Sequence, residues 1–345
     1  MPQLLEPKTL TSRKVLWGVL GVASIAVRRV IPAMQKGDWS GVVAMASRDL
    51  NKAERAAQAL GVPKAYGSYE ELLADPAIEA IYNPLPNNLH VEWSIRAAEA
   101  GKHVLCEKPL SVSVREAKRL LEVRDRTRVR IGEAFMVRTH PRWLRARELV
   151  RASRIGELRL VSGSFTYFNR DPKNVRNVPE YGGGALLDIG CYPVTLSRFI
   201  SGQEPTRALG LIERDPETKT DRLTSAILEF PFGQATFTCS TQIAYHQRMA
   251  LLGTTGRIDI ERPVNPPNDQ PSRILIDDNP SDPTGSGITA ETIPTCDQFT
   301  IQGDLFSRAI RGEGEVPVPL EDSILNMRAI EAIFRSAESG RWETP

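Results

Sequence analysis

VLWGVLGVASIA, residues 15–26, decides the fold of this chain. Val15 to Leu20 is an apolar run suited to a buried strand, it stops at Gly21, and helical spacing of apolar residues follows over 25–34. A strand that turns on a glycine into a helix opens a dinucleotide-binding unit, whose fingerprint is G-x-G-x-x-G/A. Gly21, Ala23 and Ala26 fill the three fingerprint positions, with alanine in the middle place, where glycine lets the backbone approach a pyrophosphate. The added methyl displaces the phosphate slightly outward. The helix start at Ala23, Ser24 and Ile25 still has free N–H groups to offer an anion.

Outward from this unit, strand and helix patterns alternate. Residues 41–46 read as a second strand, 51–60 as an alanine-rich helix, 78–82 as a third core strand, 91–100 as a helix and 104–106 as a fourth strand. Ser68 caps a short helix with Glu71 at its third position. Strict alternation predicts an α/β fold with a parallel, doubly wound sheet, here over residues 14–134. After about Ala134 the texture changes to longer alternating segments at 158–168, 224–230, 235–243, 249–253 and 257–261. These predict a second, α+β domain over 135–345, built on a large open, mostly antiparallel sheet. Residues 263–287 are dense in Pro, Asn, Asp and Gly and read as loop with one strand at 274–276. Amphipathic helices at 299–310 and 320–339 close the chain.

The 345 residues exceed one ordinary core, in keeping with two domains. A net charge of +2 supplies no field that would select nucleic acid or membrane as a partner. Cys106, Cys191, Cys239 and Cys296 are scattered without CxxC spacing and read as free thiols of a reducing compartment. The first residues lack a signal-peptide core, and no apolar run spans a bilayer, so a cytoplasmic location is expected. No metal is expected: His103 and Cys106 have ligand-like spacing but lie in a buried strand without a second ligand pair.

Three short segments carry chemistry. The second strand ends Ala46-Ser47-Arg48-Asp49, with Lys52 one turn into the helix. A serine and two cations at this place favour a 2′-phosphate, hence NADP, with NAD the alternative while Asp49 stands nearby. GKHVLCEKPL, residues 101–110, puts Lys108 directly after a buried strand, at the sheet edge that faces the ligand crevice in open α/β folds. In YGGGALLDIGCYPV, residues 181–194, Asp188 and Tyr192 stand four apart and share one helix face. Pro193 marks either a helix start or a kink. A carboxylate beside a phenol suits hydroxyl recognition and proton transfer, and a nearby lysine ammonium would favour the phenolate.

The Gly21 fingerprint, Ser47-Arg48, YNPLPNNLHVEW at 82–93, CEKP at 106–109, GEAFMVRTHPRW at 132–143 and GGGALLDIGCYPV at 182–194 occur in this order. Together they resemble the glucose-fructose oxidoreductase, inositol dehydrogenase and rhizopine catabolism family of NAD(P)-dependent oxidoreductases. The resemblance implies a Rossmann domain and an open sheet whose exposed face mediates homodimer or higher contacts. It implies a carbohydrate or related polyol or carbonyl substrate, and a site of Lys108, Asp188 and the residue at 192. Inositol dehydrogenases have histidine at that last position. Tyr192 moves this chain towards the aldose 1-dehydrogenase branch, with dihydrodiol dehydrogenase, dicarbonyl or anhydrofructose reductase, and a non-catalytic dinucleotide-binding regulator as alternatives.

On this resemblance Leu85, Pro86 and Asn88 frame the nicotinamide, and His90 and Glu107 lie near its ribose and carboxamide. Tyr192 removes the anomeric proton as hydride leaves C1, Lys108 lowers the phenol pKa, and Asp188 holds a neighbouring hydroxyl or the lysine. Which of Tyr192 and Lys108 takes the proton stays open, because they titrate as a pair. Arg138, His140, Phe165, Tyr167, Asn174, Arg176 and Tyr181 border the substrate, with Arg138, Phe165 and Arg176 the leading contacts.

Overall fold

The computed structural model describes residues 14–279 and 287–345. The expectations for a leader and for loop residues 280–286 lie outside these described residues. Six parallel strands build the first sheet: β1 (Val15–Leu20), β2 (Ser40–Ala46), β3 (Lys64–Tyr66), β4 (Ala80–Asn83), β5 (His103–Cys106) and β6 (Ile131–Glu133). Their order is β3-β2-β1-β4-β5-β6, so the chain reverses direction across the sheet between β1 and β4. That reversal creates the crevice where open α/β sheets bind ligands.

The connecting helices begin where the sequence supplies acceptors for their free N–H groups. A π turn (Ala26–Val30) leads into α1 (Ile31–Met34). Asp49 caps α2 (Leu50–Leu60), Ser68 caps α3 (Tyr69–Ala74) and Ser113 caps α5 (Val114–Thr127), each accepting a hydrogen bond from the third residue on. Glu71 reaches back to the Gly67 N–H at 3.1 Å, one residue before its expected partner. Helix α4 (His90–Glu99) follows β4, and α6 (Pro141–Arg151) leads into the second sheet.

That sheet holds β7 (Leu158–Phe168), β8 (Arg207–Arg214), β9 (Asp221–Phe230), β10 (Gly233–Ser240), β11 (Gln242–Gly253), β12 (Arg257–Glu261), β13 (Ser272–Asp277) and β14 (Ile288–Ile293). The order is β14-β13-β12-β11-β7-β10-β9-β8, antiparallel except for β7 beside β10. The expected strand over 235–243 is two strands, split at Thr241. One face packs against α6 and α7 (Cys191–Ser201) through residues such as Val161, Leu228 and Phe237. The other face is open, with a groove of about 490 Å³ lined by Ser162, Leu209, Leu211, Ser225, Ile227 and Thr236.

The last helices return to the first sheet. Helix α8 (Gln298–Ile310) packs Phe306 on Trp17, whose indole N–H donates to Ser307 Oγ at 3.0 Å, while α9 (Leu320–Ser339) lies against α5. These contacts leave one cleft running from the ends of the parallel strands to the edge of the second sheet.

Candidate active site

The cleft has a volume of about 860 Å³. One end is the turn after β1, lined by Gly21, Ala23, Ser24 and Ile25. Gly21 has φ +76°, and a Cβ there would stand 3.1 Å from a Leu85 methyl, so both backbone and space call for glycine. Arg28, Arg29 and Lys52 line the same end, a cradle of N–H groups and cations that fits a dinucleotide phosphate. Ser47 is buried beside it and accepts the Asp49 N–H at 3.2 Å, while Asp49 is engaged with the Lys52 N–H at 3.1 Å. Arg48 sits near Tyr69, a cleft residue whose phenol is pushed up by burial and drawn partly back by that cation.

Leu85, Pro86 and Glu107 line the middle of the cleft. Asn88 is exposed and does not; Asn87 takes its place, because the short helical turn after Pro86 points residue 87 inward, where its amide donates to Gly182 O at 2.9 Å. His90 is 1 % exposed, with its ring nitrogens 2.7 Å from the carbonyls of Leu85 and Pro109. Burial drives its pKa down to about 4, so the ring is neutral at pH 7 and its single N–H donates to one of these two carbonyls. Glu107 accepts the Tyr82 hydroxyl at 2.6 Å; burial pushes its carboxyl up against the pull of the Lys108 charge.

Lys108, Asp188 and Tyr192 meet at the far end of this loop. Lys108 Nζ donates to the main-chain oxygen of Asp188 at 2.6 Å, reaches Oδ1 at 3.4 Å, and lies 5.0 Å from the Tyr192 ring centroid. Arg176 Nε pairs with Asp188 Oδ1 at 3.0 Å, and the Tyr167 hydroxyl donates to Oδ2 at 2.6 Å. Burial would raise the Asp188 pKa, but Arg176, Lys108 and Tyr167 hold it well below the usual carboxylate range. Burial also works against the Lys108 charge, yet the neighbouring Tyr192 and the Asp188 carboxylate more than offset it and keep its pKa above the ordinary lysine value. The trio therefore rests as ammonium and carboxylate, with both Asp188 oxygens engaged.

Two expectations about this trio need correcting. Asp188 and Tyr192 do not share one α-helical face: Leu186–Gly190 is a π turn, and α7 begins at Cys191 with Pro193 in its first turn. Lys108 does not bring the Tyr192 pKa down overall; the ring is 4 % exposed, held edge-on by Phe135 and tilted against Phe165, and burial outweighs the ammonium. The Tyr192 hydroxyl has Met136 Sδ, 3.7 Å away, as its hydrogen-bond partner, a weak acceptor that leaves it available to a ligand.

Beyond the trio, Phe165, Tyr167, Asn174, Arg176 and Tyr181 line the cleft as expected of a substrate border, together with Asn169, Lys173 and Asn265. Arg138 does not. Its guanidinium pairs with Asp322 at 2.7 Å and stacks over Phe199, because the turn Met136–Thr139 directs it between α7 and α9. His140 caps α6 and faces Cys296. Arg28, Arg29, Tyr69 and Asn87 were not singled out from the sequence; two arginines one turn past the fingerprint were the available signal for the first pair.

A family model described as an oxidoreductase family with NAD-binding Rossmann fold matches residues 15–135, and a GFO/IDH/MocA C-terminal domain matches 143–259. An uncharacterized oxidoreductase of Rhizobium meliloti is 47 % identical over 96 % of this chain and 99 % of its own length. The D-xylose 1-dehydrogenase (NADP(+)) 2 of Haloferax volcanii is 36 % identical over 94 % of this chain and 98 % of its own. A 3-ketoreductase from Actinomadura kijaniata, solved with NADP and TDP-benzene, superposes with TM-score 0.87 at 29 % identity, covering 94 % of this chain and 98 % of that one. This chain belongs to the glucose-fructose oxidoreductase, inositol dehydrogenase and rhizopine catabolism (GFO/IDH/MocA) family of oxidoreductases.

Proposed function

We propose that this oxidoreductase uses NADP to oxidise C1 of an aldose to the lactone. The observation that carries the reading is the meeting of Lys108, Asp188 and Tyr192 in a cleft continuous with the dinucleotide turn. Gly21, Ala23, Ser24, Ile25, Arg28 and Arg29 would hold the pyrophosphate end, and Ser47, Arg48 and Lys52 the 2′-phosphate. Asp49, the carboxylate that could repel that phosphate, is committed to its helix. The similarity to a xylose dehydrogenase that uses NADP supports both cofactor and substrate class.

When bound, the nicotinamide accepts the hydride. The protein's part is to place the sugar and move one proton. For oxidation Tyr192 first gives up its own proton to solvent, and the phenolate Oη then takes the anomeric proton while the Lys108 ammonium stabilises the phenolate and the developing oxyanion. Asp188 keeps Lys108 charged and in place, and Arg176 and Asn174 receive ring hydroxyls at the outer end.

A second reading, reduction of a sugar ketone, is favoured by one observation. Lys108 and Tyr192 both rest protonated, the state that donates a proton to a carbonyl. Initial rates with NADP and xylose, glucose or a dihydrodiol, set beside rates with NADPH and a ketosugar or anhydrofructose, separate the two. Xylose or glucose oxidation at the highest kcat/KM is expected; activity confined to the NADPH arm would overturn the aldose assignment. Assembly through the open sheet face, where Leu211 is 76 % exposed, completes the proposal, and a monomer in sedimentation would contradict that part.

A further inference from the structure

Asp221 lies outside the cleft, at the first position of β9, and is 2 % exposed. Its Oδ2 accepts the Leu186 N–H at 2.6 Å and the Thr224 hydroxyl at 3.1 Å. Leu186 is the first residue of the π turn that carries Asp188. The approach is tight enough to dictate the neighbouring residue. Gly184 has φ +119°, and a Cβ on it would fall inside the Asp221 carboxylate.

From there the path to the reacting end is short. The Asp188 N–H donates to Gly184 O at 3.1 Å, and the Asp188 carbonyl receives Lys108 Nζ at 2.6 Å. In a continued π turn that carbonyl would meet the N–H of residue 193, and Pro193 has none. The π pattern ends there, with the carbonyl oxygen turned to Lys108. The shortest contact Lys108 makes is thus to a backbone atom whose position depends on the turn, and the turn is held at its start by Asp221.

We infer that Asp221 is a positioning residue for the proposed reaction, fixing the π turn and through it the Asp188 carbonyl that holds Lys108. This inference rests on the cleft being the active site. Burial pushes the Asp221 carboxyl up to about 6 even though the Leu186 N–H and Thr224 hydroxyl draw it back, so the carboxylate form is available at neutral pH beside the positive end of the turn.

The test measures kcat and KM for the aldose, NADP affinity by fluorescence, and melting temperature, in Asp221→Ala, Asp221→Asn, Gly184→Ala and Lys108→Met. Displacing the turn by a fraction of an ångström should lower kcat about 10- to 100-fold in Asp221→Ala, with NADP affinity within about two-fold, because the cofactor residues stand on the other sheet. Asp221→Asn keeps an oxygen for the Leu186 N–H and should recover kcat to within about three-fold of wild type. Gly184→Ala should repeat the Asp221→Ala kinetics, and the double variant should be no worse than either, as expected for one shared path. If Asp221→Ala does not fold, Asp221→Asn and Gly184→Ala carry the same comparison. A folded Asp221→Ala or Gly184→Ala with wild-type kcat, or an Asp221→Asn as slow as the Ala variant, would overturn the inference. Wild-type turnover in Lys108→Met would instead overturn the reading of the cleft itself.

Discussion

Asp188 and Asp322 each sit between two cations, and of the two Asp188 faces the cleft. Asp188 is bound by Arg176, Lys108 and the Tyr167 hydroxyl; Asp322 is bound by Arg138 at 2.7 Å and Arg198 at 3.2 Å. Burial raises both pKa values and the cations bring both below the ordinary range. The difference lies in what surrounds the cations. The Arg176 side chain is 43 % exposed and lines a cavity, whereas Arg198 is 2 % exposed, stays paired with Glu204 and packs between α7 and α9. Charge pairing by itself marks a rigid anchor; a site also needs a void and a polar group with bonding capacity left. The Tyr192 hydroxyl, whose hydrogen-bond partner among the described residues is a thioether, supplies that capacity.

Removing the cation that faces the cleft should have the largest effect. Lys108→Met should lower kcat about 10³-fold while NADP affinity changes by less than about three-fold, measured by steady-state rates and fluorescence titration. Comparable loss of cofactor binding would show that Lys108 serves binding instead.

Neutralising each carboxylate separates the clusters more finely. Asp188→Asn should cost about 10²-fold in kcat with a modest change in melting temperature. Asp322→Asn should do the reverse: about 3 kcal/mol less stable in urea unfolding, because Arg138 loses its carboxylate and Arg198 keeps only Glu204, with kcat of the folded enzyme within about three-fold of wild type. A large kcat defect in Asp322→Asn would erase the distinction.

The smallest expected effect concerns Glu133, at the edge of the interior cluster. It is buried, accepts the Leu110 N–H at 2.7 Å, and burial pushes its carboxyl from 4.5 up to about 7. The folded state therefore holds this proton more tightly than the unfolded chain. Its contribution is full below about pH 4.5 and is lost as pH rises to about 7, a slope worth about 3 kcal/mol. Glu133→Gln, neutral throughout, should be about 1–3 kcal/mol more stable than wild type at pH 8 and equal to it at pH 4, by urea unfolding at the two pH values. Parallel stability profiles would contradict the assignment.

Much of the nucleotide half was legible because its signals are local. Apolar runs, a capping residue and a lysine placed after a buried strand each carry their meaning within a few residues, and β1, β2, β4, β5 and the Ser68 cap sit where such signals place them. Strand β6 escaped notice because three residues carry no period. Strands β8 and β14 escaped because much of each is exposed and the inside-outside alternation is weak.

The site divides along the same line. Lys108 announced itself by position, while the π turn under Asp188 did not, since a wider helical turn leaves the same residues four apart in sequence. Arg138 was misplaced because a basic residue in a loop after the sheet reads the same whether it faces the cleft or Asp322, and the partner lies 184 positions away. Asp221 carries no local signal at all.

The proposed reaction passes hydride from C1 of an aldose to a nicotinamide held in this cleft. Its most direct measurement is mass spectrometry of NADPH formed by the wild-type enzyme from D-xylose deuterated at C1. NADPH that carries the deuteron is the predicted result, with none formed at matched times by Lys108→Met. Unlabelled NADPH, or labelled NADPH formed equally fast by the variant, would contradict it.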